Sequence, residues 1–521
     1  MPDTASPGMS HKEIMKALSG LLIVMAVTMM SSTIVSVALP QIIGALKGTQ
    51  SQYTWVVTAM LLTSTISTPL WGRLADLFDK KLLLQVGIVI FLLASLGAGF
   101  SQNTEQLIAW RAVQGLGLGA AQVLIQVVIA AMISPKDRGK YNGYLGAVMG
   151  LATVAGPLLG GLITEVMDWR WCFFLPIPFA LLAFFMLHRT LHLEHVRRDD
   201  VKIDYLGATL IAAGVSVLLI WITFVGDTFA WLSWQTGAMV GASVLVLALS
   251  VWVENRAAQP VVPVRIVKQR TPALAIIGSA AVGMAMFGGA VFLGQYFQIG
   301  RGYSPTAAGL LTIPMMLGMM VSSTISGRII SRTGKVKPHI VFALVSLTLG
   351  FALMSTIDHE TSLVFIGGAM VLIGVGVGMS MQNLVLIVQN GVSMKDMGAA
   401  SGALAFFRSL GGTIGVSVLG AVLASEVADS IKKGFAKLGV QVTGDQGGTL
   451  DLESIPAPLR EIVRAAYGDG TGHIFLVSTG IAVVGLVAVL FLKPNDLRDT
   501  IDLPSAPASE RSEGEKELAA S

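Results

Sequence analysis

The sequence predicts an all-α polytopic membrane protein, with two pseudo-symmetric six-helix bundles, two helices inserted between them, and fourteen transmembrane helices in all. Three observations predict it. Of 521 residues, 53% are hydrophobic and only 13% charged, against roughly 25% charged in a soluble domain, and the mean hydropathy is +0.72. Apolar runs of about 20 residues recur along almost the whole chain, each long enough to cross roughly 30 Å of hydrocarbon as a helix. A basic turn after the second run is repeated after the tenth. This composition excludes a soluble enzyme, a disordered chain and a nucleic-acid module. The single cysteine, Cys172, excludes an internal disulfide and a Cys-rich metal site.

The predicted spans are 17–41, 53–72, 82–100, 106–133, 144–167, 173–191, 205–225, 235–253, 273–297, 306–330, 339–357, 363–389, 399–424 and 474–492. The first is too long for a signal-peptide core and is followed by further spans, so it reads as an uncleaved helix. The second ends in the turn Gly72-Arg73-Leu74-Ala75-Asp76-Leu77-Phe78-Asp79-Lys80-Lys81, from which the third begins. The fourth carries Arg111, and the fifth a Gly-Pro pair at Gly156-Pro157. With the sixth they complete one bundle. Spans seven and eight separate it from a second. The tenth ends in Gly327-Arg328-Ile329-Ile330-Ser331-Arg332-Thr333-Gly334-Lys335, which repeats the first basic turn eight spans later. The thirteenth carries Arg408, and a long connector, 426–473, precedes the fourteenth.

An even count places both termini on one side. Odd-to-even connectors carry about 8 Lys/Arg, 5 of them in 426–473, while the opposite face with both tails carries about 25. By the positive-inside rule both termini are cytoplasmic. The expected organisation is a cytoplasmic N-terminal tail (1–16), an N-terminal six-helix bundle (17–191) and a linker with the two inserted helices (192–272). A C-terminal six-helix bundle (273–492) follows, containing an extracytoplasmic loop (425–473). The last part is a polar, disordered cytoplasmic tail (493–521). A two-bundle membrane protein with its site at the repeat interface has a transporter architecture.

Four sets of residues carry a resemblance. The turn 72–81 resembles the loop signature between spans 2 and 3 of the major facilitator superfamily. Arg111-Ala112-Val113-Gln114-Gly115 resembles the span 4 signature, and 150–161, with Gly156-Pro157 and Gly160-Gly161, the antiporter signature of span 5. Residues 33–40, Trp55-Val56-Val57-Thr58, Trp169-Arg170-Trp171 and Gly302-Tyr303-Ser304-Pro305 resemble the 14-span drug:proton antiporter branch. Asp79 stands where the first signature has Gly, and the second copy has Ser331 in place of its acid. The resemblance implies this superfamily's fold, a gating role for Gly72, Asp76, Lys80 and Lys81, and an antiport role for Gly156, Pro157, Gly160 and Gly161. A Gly-Pro pair also bends a membrane helix and admits a close neighbour, which a static kink would equally explain.

An arginine within hydrocarbon must face protein or water. At 100° per residue, Gln122 falls about 20° from Arg111, with Gln126 about 60° to one side and Gln114 about 60° to the other. These four form either a cavity wall or interhelical glue. Gln382 and Asn383 with Gln389 and Asn390 form a weaker stripe, and Gln295, Gln298 and Arg408 join them by resemblance as cavity lining. The methionines, among them Met315, Met316, Met319 and Met320, are either an adaptable ligand surface or packing.

Where the family often has an acid in span 1, this chain has Ser31, and no Asp or Glu lies in the middle of any span. Arg111 and Glu165 are therefore the candidates for proton coupling, Glu165 lying one turn beyond Gly161. The chain has no phosphate-cradling Gly-x-x-x-x-Gly-Lys-Ser/Thr loop, no His-Glu-x-x-His metal pair and no Gly-x-Ser-x-Gly elbow. No enzyme activity, cofactor or metal is expected. The expected function is proton-coupled export of small amphipathic drugs or toxic compounds by alternating access, by a monomer in the bacterial plasma (inner) membrane, with no nucleic-acid partner. The alternatives are a dedicated exporter of one lipid or metabolite, a channel or receptor, and more remotely a membrane enzyme.

Overall fold

Backbone amides inside hydrocarbon can be satisfied only within a helix or a closed barrel, and every apolar run of this chain is helical. The computed structural model describes residues 11–47, 50–191, 204–225, 229–257, 260, 264–437, 457–493 and 497–498. The first half comprises α1 (His11–Ala45), α2 (Gln50–Leu77), α3 (Lys80–Gly99), α4 (Thr104–Met132), α5 (Pro135–Val166), and a sixth span broken into α6 (Trp171–Phe174) and α7 (Pro176–Thr190). The inserted pair is α8 (Tyr205–Phe224) and α9 (Trp234–Glu254), followed by a single turn, α10 (Val264–Val267). The second half comprises α11 (Arg270–Gln295), continued by a π-turn over Tyr296–Gly300, then α12 (Pro305–Leu311) with α13 (Ile313–Thr333), α14 (Lys337–Met354), α15 (Leu363–Asn390), α16 (Met397–Lys437) and α17 (Ala457–Leu490).

The helix starts are written locally. Asp79 accepts from Leu82 N at 2.7 Å to cap α3, and Asn103 from Gln106 N at 2.9 Å to cap α4. Ser134 caps α5 ahead of Pro135, whose missing N–H is no loss in a first turn. Among the described residues eleven helices are long and apolar enough to cross a membrane, and α8 is a shorter apolar helix. Helices α2 and α5 are not among the eleven. Thr63, Ser64, Thr65, Ser67 and Thr68, all buried or partly buried, dilute the hydropathy of α2.

Each half has its own core. One cluster runs from Ala17 to Leu191 with Leu84, Phe91, Leu124 and Leu145 at its centre, and another from Ile266 to Leu497 around Leu344, Ile373 and Phe475. The halves meet along two crossings, α2 with α16 and α5 with α13. The hairpin α8–α9 lies outside. Its Ile211, Val215 and Leu219 cover Leu62, Ile66 and Leu70 of α2 together with Phe406 of α16, so it spans the seam between the halves. Large apolar side chains such as Leu93, Leu151, Leu245 and Val364 stay exposed on the outer surface, which suits hydrocarbon rather than water.

Two stretches differ from the sequence reading. The connector expected at 425–473 is largely helical, because α16 continues to Lys437 and α17 starts at Ala457, and 438–456 lies outside the described residues. The start of α17 rests on α16 through an apolar contact, where Ile462 meets Gly434, so both helices extend into the stretch expected as loop. Within the tail expected to be disordered, Leu497 is buried and Arg498 is hydrogen-bonded. Residues 494–496, 499–521 and 1–10 lie outside the described residues.

Candidate functional site

The two halves are joined at the face that carries Lys80, Lys140 and Lys335, here called the basic face. Small residues make that junction close. At the α2–α16 crossing a Cβ on Gly72 would collide with the Gly398 carbonyl oxygen and sit 3.0 Å from the Gly402 Cα. On α5, Gly139, Gly143 and Gly146 recur on one face. A Cβ on each would strike Gly327 and Ser331, Thr324, and Ser323 of α13 respectively. Backbones can therefore touch where any larger residue would hold them apart.

Polar side chains then fasten the closed face. Asp76, whose side chain is fully buried, accepts from Gly398 N at 2.7 Å and Ala399 N at 2.8 Å. These are first-turn amides of α16, so a carboxylate from one half caps a helix of the other, where the helix dipole favours negative charge. Arg73 stands 3.8 Å away as a second counter-charge. Arg138, 2% exposed, donates to Ile133 O and Ala130 O on its own side and to Gln389 Oε1 across the junction at 2.8 Å. Gln389 in turn donates to Ser401 Oγ at 2.9 Å. Gln126 Nε2 donates to Gln382 Oε1 at 2.9 Å, joining α4 to α15. Finally, Arg498 donates from its backbone to Asn390 Oδ1 and from its guanidinium to Gln389 O and Val392 O, while its carbonyl accepts from Lys136 N at 3.3 Å.

The candidates in the first half divide into two groups. Arg111 is 2% exposed and donates to Val56 O at 3.3 Å and to Gln114 Oε1 at 2.6 Å. Gln114 passes the chain on to Ser95 Oγ at 2.9 Å and Ser31 Oγ at 3.3 Å. These two side chains thus bind α4 to α1, α2 and α3 inside the bundle. Gln122 and Gln126, partly exposed, lie further along α4 toward the basic face. Gly156 and Gly160 of α5 admit α1, since a Cβ would strike Thr33 at the first and approach the Ile34 carbonyl to 2.7 Å at the second, whereas Gly161 faces open space. The side chains of Pro157 and Glu165 lie outside the described residues, although α5 includes both positions. Lys80 opens α3, and Lys81 Nζ donates to His188 O at 2.7 Å within the same bundle, away from Asp76.

In the second half Gln382 and Asn383 are buried near the basic-face end of α15, where Asn383 donates to Met379 O of its own helix at 2.6 Å. Gln295 and Gln298 are exposed at the other end of α11 and in its π-turn, so the four residues do not meet. Arg408 is buried in the thirteenth span. Met286, Met319 and Met381 are partly buried and pack against the cores of both halves. A separate cavity of about 320 Å³ is lined entirely by apolar residues, among them Met30 and Ile34 of α1, Leu159 of α5 and Phe179 of α7. That is the lower end of the size range of small-molecule sites. Among the described residues no cluster of His, Cys, Asp and Glu could hold a metal.

Sequence reasoning missed Arg138, the Gly139-Gly143-Gly146 stripe and Arg498. The stripe has a legible signal in its helical spacing. Arg138 has none, because it sits in a basic connector like any solvated charge.

The Major Facilitator Superfamily profile matches residues 21–416. An uncharacterized MFS-type transporter of Mycobacterium tuberculosis is 35% identical over 471 residues, covering 90% of this chain and 68% of the relative. Multidrug transporter protein MdtP of Bacillus subtilis is 31% identical over 525 residues, covering 96% of this chain and 95% of the relative. Two solved structures share the fold at 14% identity. The proton:xylose symporter XylE matches with a TM-score of 0.60 over 93% of this chain and 96% of its own, and the human organic anion transporter MFSD10 with 0.59 over 90% and 99%.

Proposed function

The chain belongs to the Major Facilitator Superfamily, and from that premise we propose that it is a secondary active exporter that expels small amphipathic compounds in exchange for protons by alternating access. It is a transporter rather than an enzyme, with multidrug efflux proteins among its relatives. The observation that carries the alternating-access reading is the closed basic face, where Asp76 caps α16 across the two halves. A carboxylate bound to helix amides in one conformation and released in the other is a two-state element of the kind transport needs. In this reading the basic face is cytoplasmic, with both termini, and the closed junction belongs to the outward-facing state. The protein works as a monomer in the plasma membrane.

Gly72, Asp76, Lys80 and Lys81 form the gate, and Gly156, Pro157, Gly160 and Gly161 let α5 bend and slide against α1. Gln122, Gln126, Gln382, Asn383 and Arg408 offer polar contacts to the substrate, with Gln295 and Gln298 at the outer mouth. Met286, Met319 and Met381, at the junction of the two cores, supply a surface able to repack around different apolar bodies. Proton coupling falls to Arg111 and Glu165. The test is uptake of a fluorescent amphiphile into inside-out vesicles with and without an imposed pH gradient. Gradient-dependent, saturable accumulation is expected, and its absence across a panel of amphiphiles overturns proton-coupled export in favour of a dedicated exporter of one lipid or metabolite. Glu165→Gln is expected to weaken gradient-driven uptake, and unchanged uptake removes Glu165 from the coupling.

A further inference from the structure

The membrane interior of this chain is cationic. Two arginines, Arg111 and Arg408, are buried within spans, and no Asp or Glu lies in the middle of any span. The two arginines differ in how they are satisfied. Arg111 reaches a backbone carbonyl and Gln114. Arg408, only 6% exposed, lies nine residues into the thirteenth span, about 14 Å from its basic-face edge at 1.5 Å per residue. Its guanidinium has neither a hydrogen bond nor an ion pair with any other described residue.

Its stem is fixed nonetheless. Gly283 of α11 faces it, and a Cβ there would collide with the Arg408 carbonyl and sit 3.0 Å from its Cγ. On the next turn Gly411 and Gly412 meet Ala280 and Phe287, so α11 and α16 are tightly packed around the base of this side chain. A held cation in mid-membrane without a counter-charge is strongly unfavourable on its own. An incoming anion removes that penalty, and the flat guanidinium accepts a carboxylate, sulfonate or phosphate through two parallel hydrogen bonds.

We propose that Arg408 is the counter-charge for the transported compound, and that the preferred substrates are amphiphilic organic acids carried as anions. Their acid group pairs with Arg408, and their apolar body lies against the methionines where the two bundles meet. This rests on the export reading above and narrows its substrate class. No mid-span carboxylate is present to attract a cationic drug, and the buried charges of the spans are those of Arg111 and Arg408.

The experiment uses three fluorescent probes on one apolar skeleton, bearing a carboxylate, its neutral amide and a primary amine, with inside-out vesicles holding the full chain. Wild type is expected to accumulate the carboxylate in preference to both analogues. Arg408→Gln is expected to lower carboxylate uptake about tenfold more than it lowers amide uptake, and so to abolish the preference. Arg408→Lys retains part of it. Thermal stabilisation of the detergent-solubilised wild-type chain by the carboxylate probe, and not by the amine, reads the same preference without any variant. Wild-type vesicles that move the amide or amine at least as well as the carboxylate overturn the substrate class and leave export standing. An unchanged carboxylate-to-amide ratio in Arg408→Gln overturns the role of Arg408. Failure of all three probes to accumulate overturns the broad export reading itself.

Discussion

Replacing Asp76 by Asn tests the gate at its best-defined point. The carboxylate accepts two backbone hydrogen bonds, at 2.7 and 2.8 Å, and its side chain is fully buried, so solvent does not screen them. A hydrogen bond to a charged group contributes about 1.5–3 kcal/mol. Asn keeps one acceptor, turns an amide toward the second N–H, and removes the charge that faces the positive end of α16. The closed basic face should lose about 3 kcal/mol, close to a hundredfold in population. A wild-type closed-to-open ratio of about 99:1 would fall to about 1:1. The assay is electron paramagnetic distance measurement between spin labels at Phe78 and Lys395, which are exposed on the two sides of the junction. Cys172, fully buried, stays unlabelled. A second, longer distance should appear in Asp76→Asn and dominate in Asp76→Ala. Superimposable distance distributions for wild type and both variants would refute the assignment of Asp76 as the clasp.

Four further outcomes are expected. Arg138→Gln strands Ala130 O and Ile133 O and breaks the bridge to Gln389, so the same labels should report more open molecules, and an unaltered distribution makes Arg138 a support of its own bundle only. Gly139→Val should wedge the α5–α13 crossing and depress vesicle transport about tenfold, given roughly 1–3 kcal/mol for overpacking; Gly237→Ala on α9, which faces open space, should match wild type, and equal rates for the two variants would exclude the stripe from gating. Arg498→Ala removes two guanidinium hydrogen bonds and should raise protease sensitivity of the basic-face connectors, a result that unchanged digestion kinetics would contradict. Ser31→Asp places a carboxylate beside the Gln114–Arg111 chain and should improve uptake of a cationic amphiphile relative to its neutral analogue; an unchanged ratio would mean that this position does not set charge preference.

The helices were legible because hydrocarbon imposes one rule, length and apolarity, that a single sequence displays. The Gly72 and Gly327 turns likewise revealed the two-bundle plan, since both copies sit at the same place in their halves. The site was legible only in part. Asp76 could be recognised as an acid at a helix end, but its partner amides lie 322 and 323 residues away, and no local pattern names a backbone donor. Helical angle put Gln114 on the same face as Gln122 and Gln126, yet Gln114 turns inward to Ser31 and Ser95 because buried hydroxyls there need a partner. Lys81, taken with Asp76 from its position in the turn, bonds instead to His188 O. The helical stretches of 425–473 read as loop because the Gly/Asp turns around Gly444 to Gly448 suggested one, whereas an amphipathic helix can continue past the membrane surface.

The separateness of the two cores bears on the order in which the protein is made. Nearly every residue of the first core precedes Leu191, and nearly every residue of the second follows Ile266. The first bundle can therefore complete its packing while the second is still being synthesised, as multi-part chains do when their N-terminal portion folds first. The clasps come afterwards. Asp76 waits for Gly398, Arg138 for Gln389, and Lys136 for Arg498, so the newborn molecule passes through a stage in which two finished bundles are tethered but not yet shut.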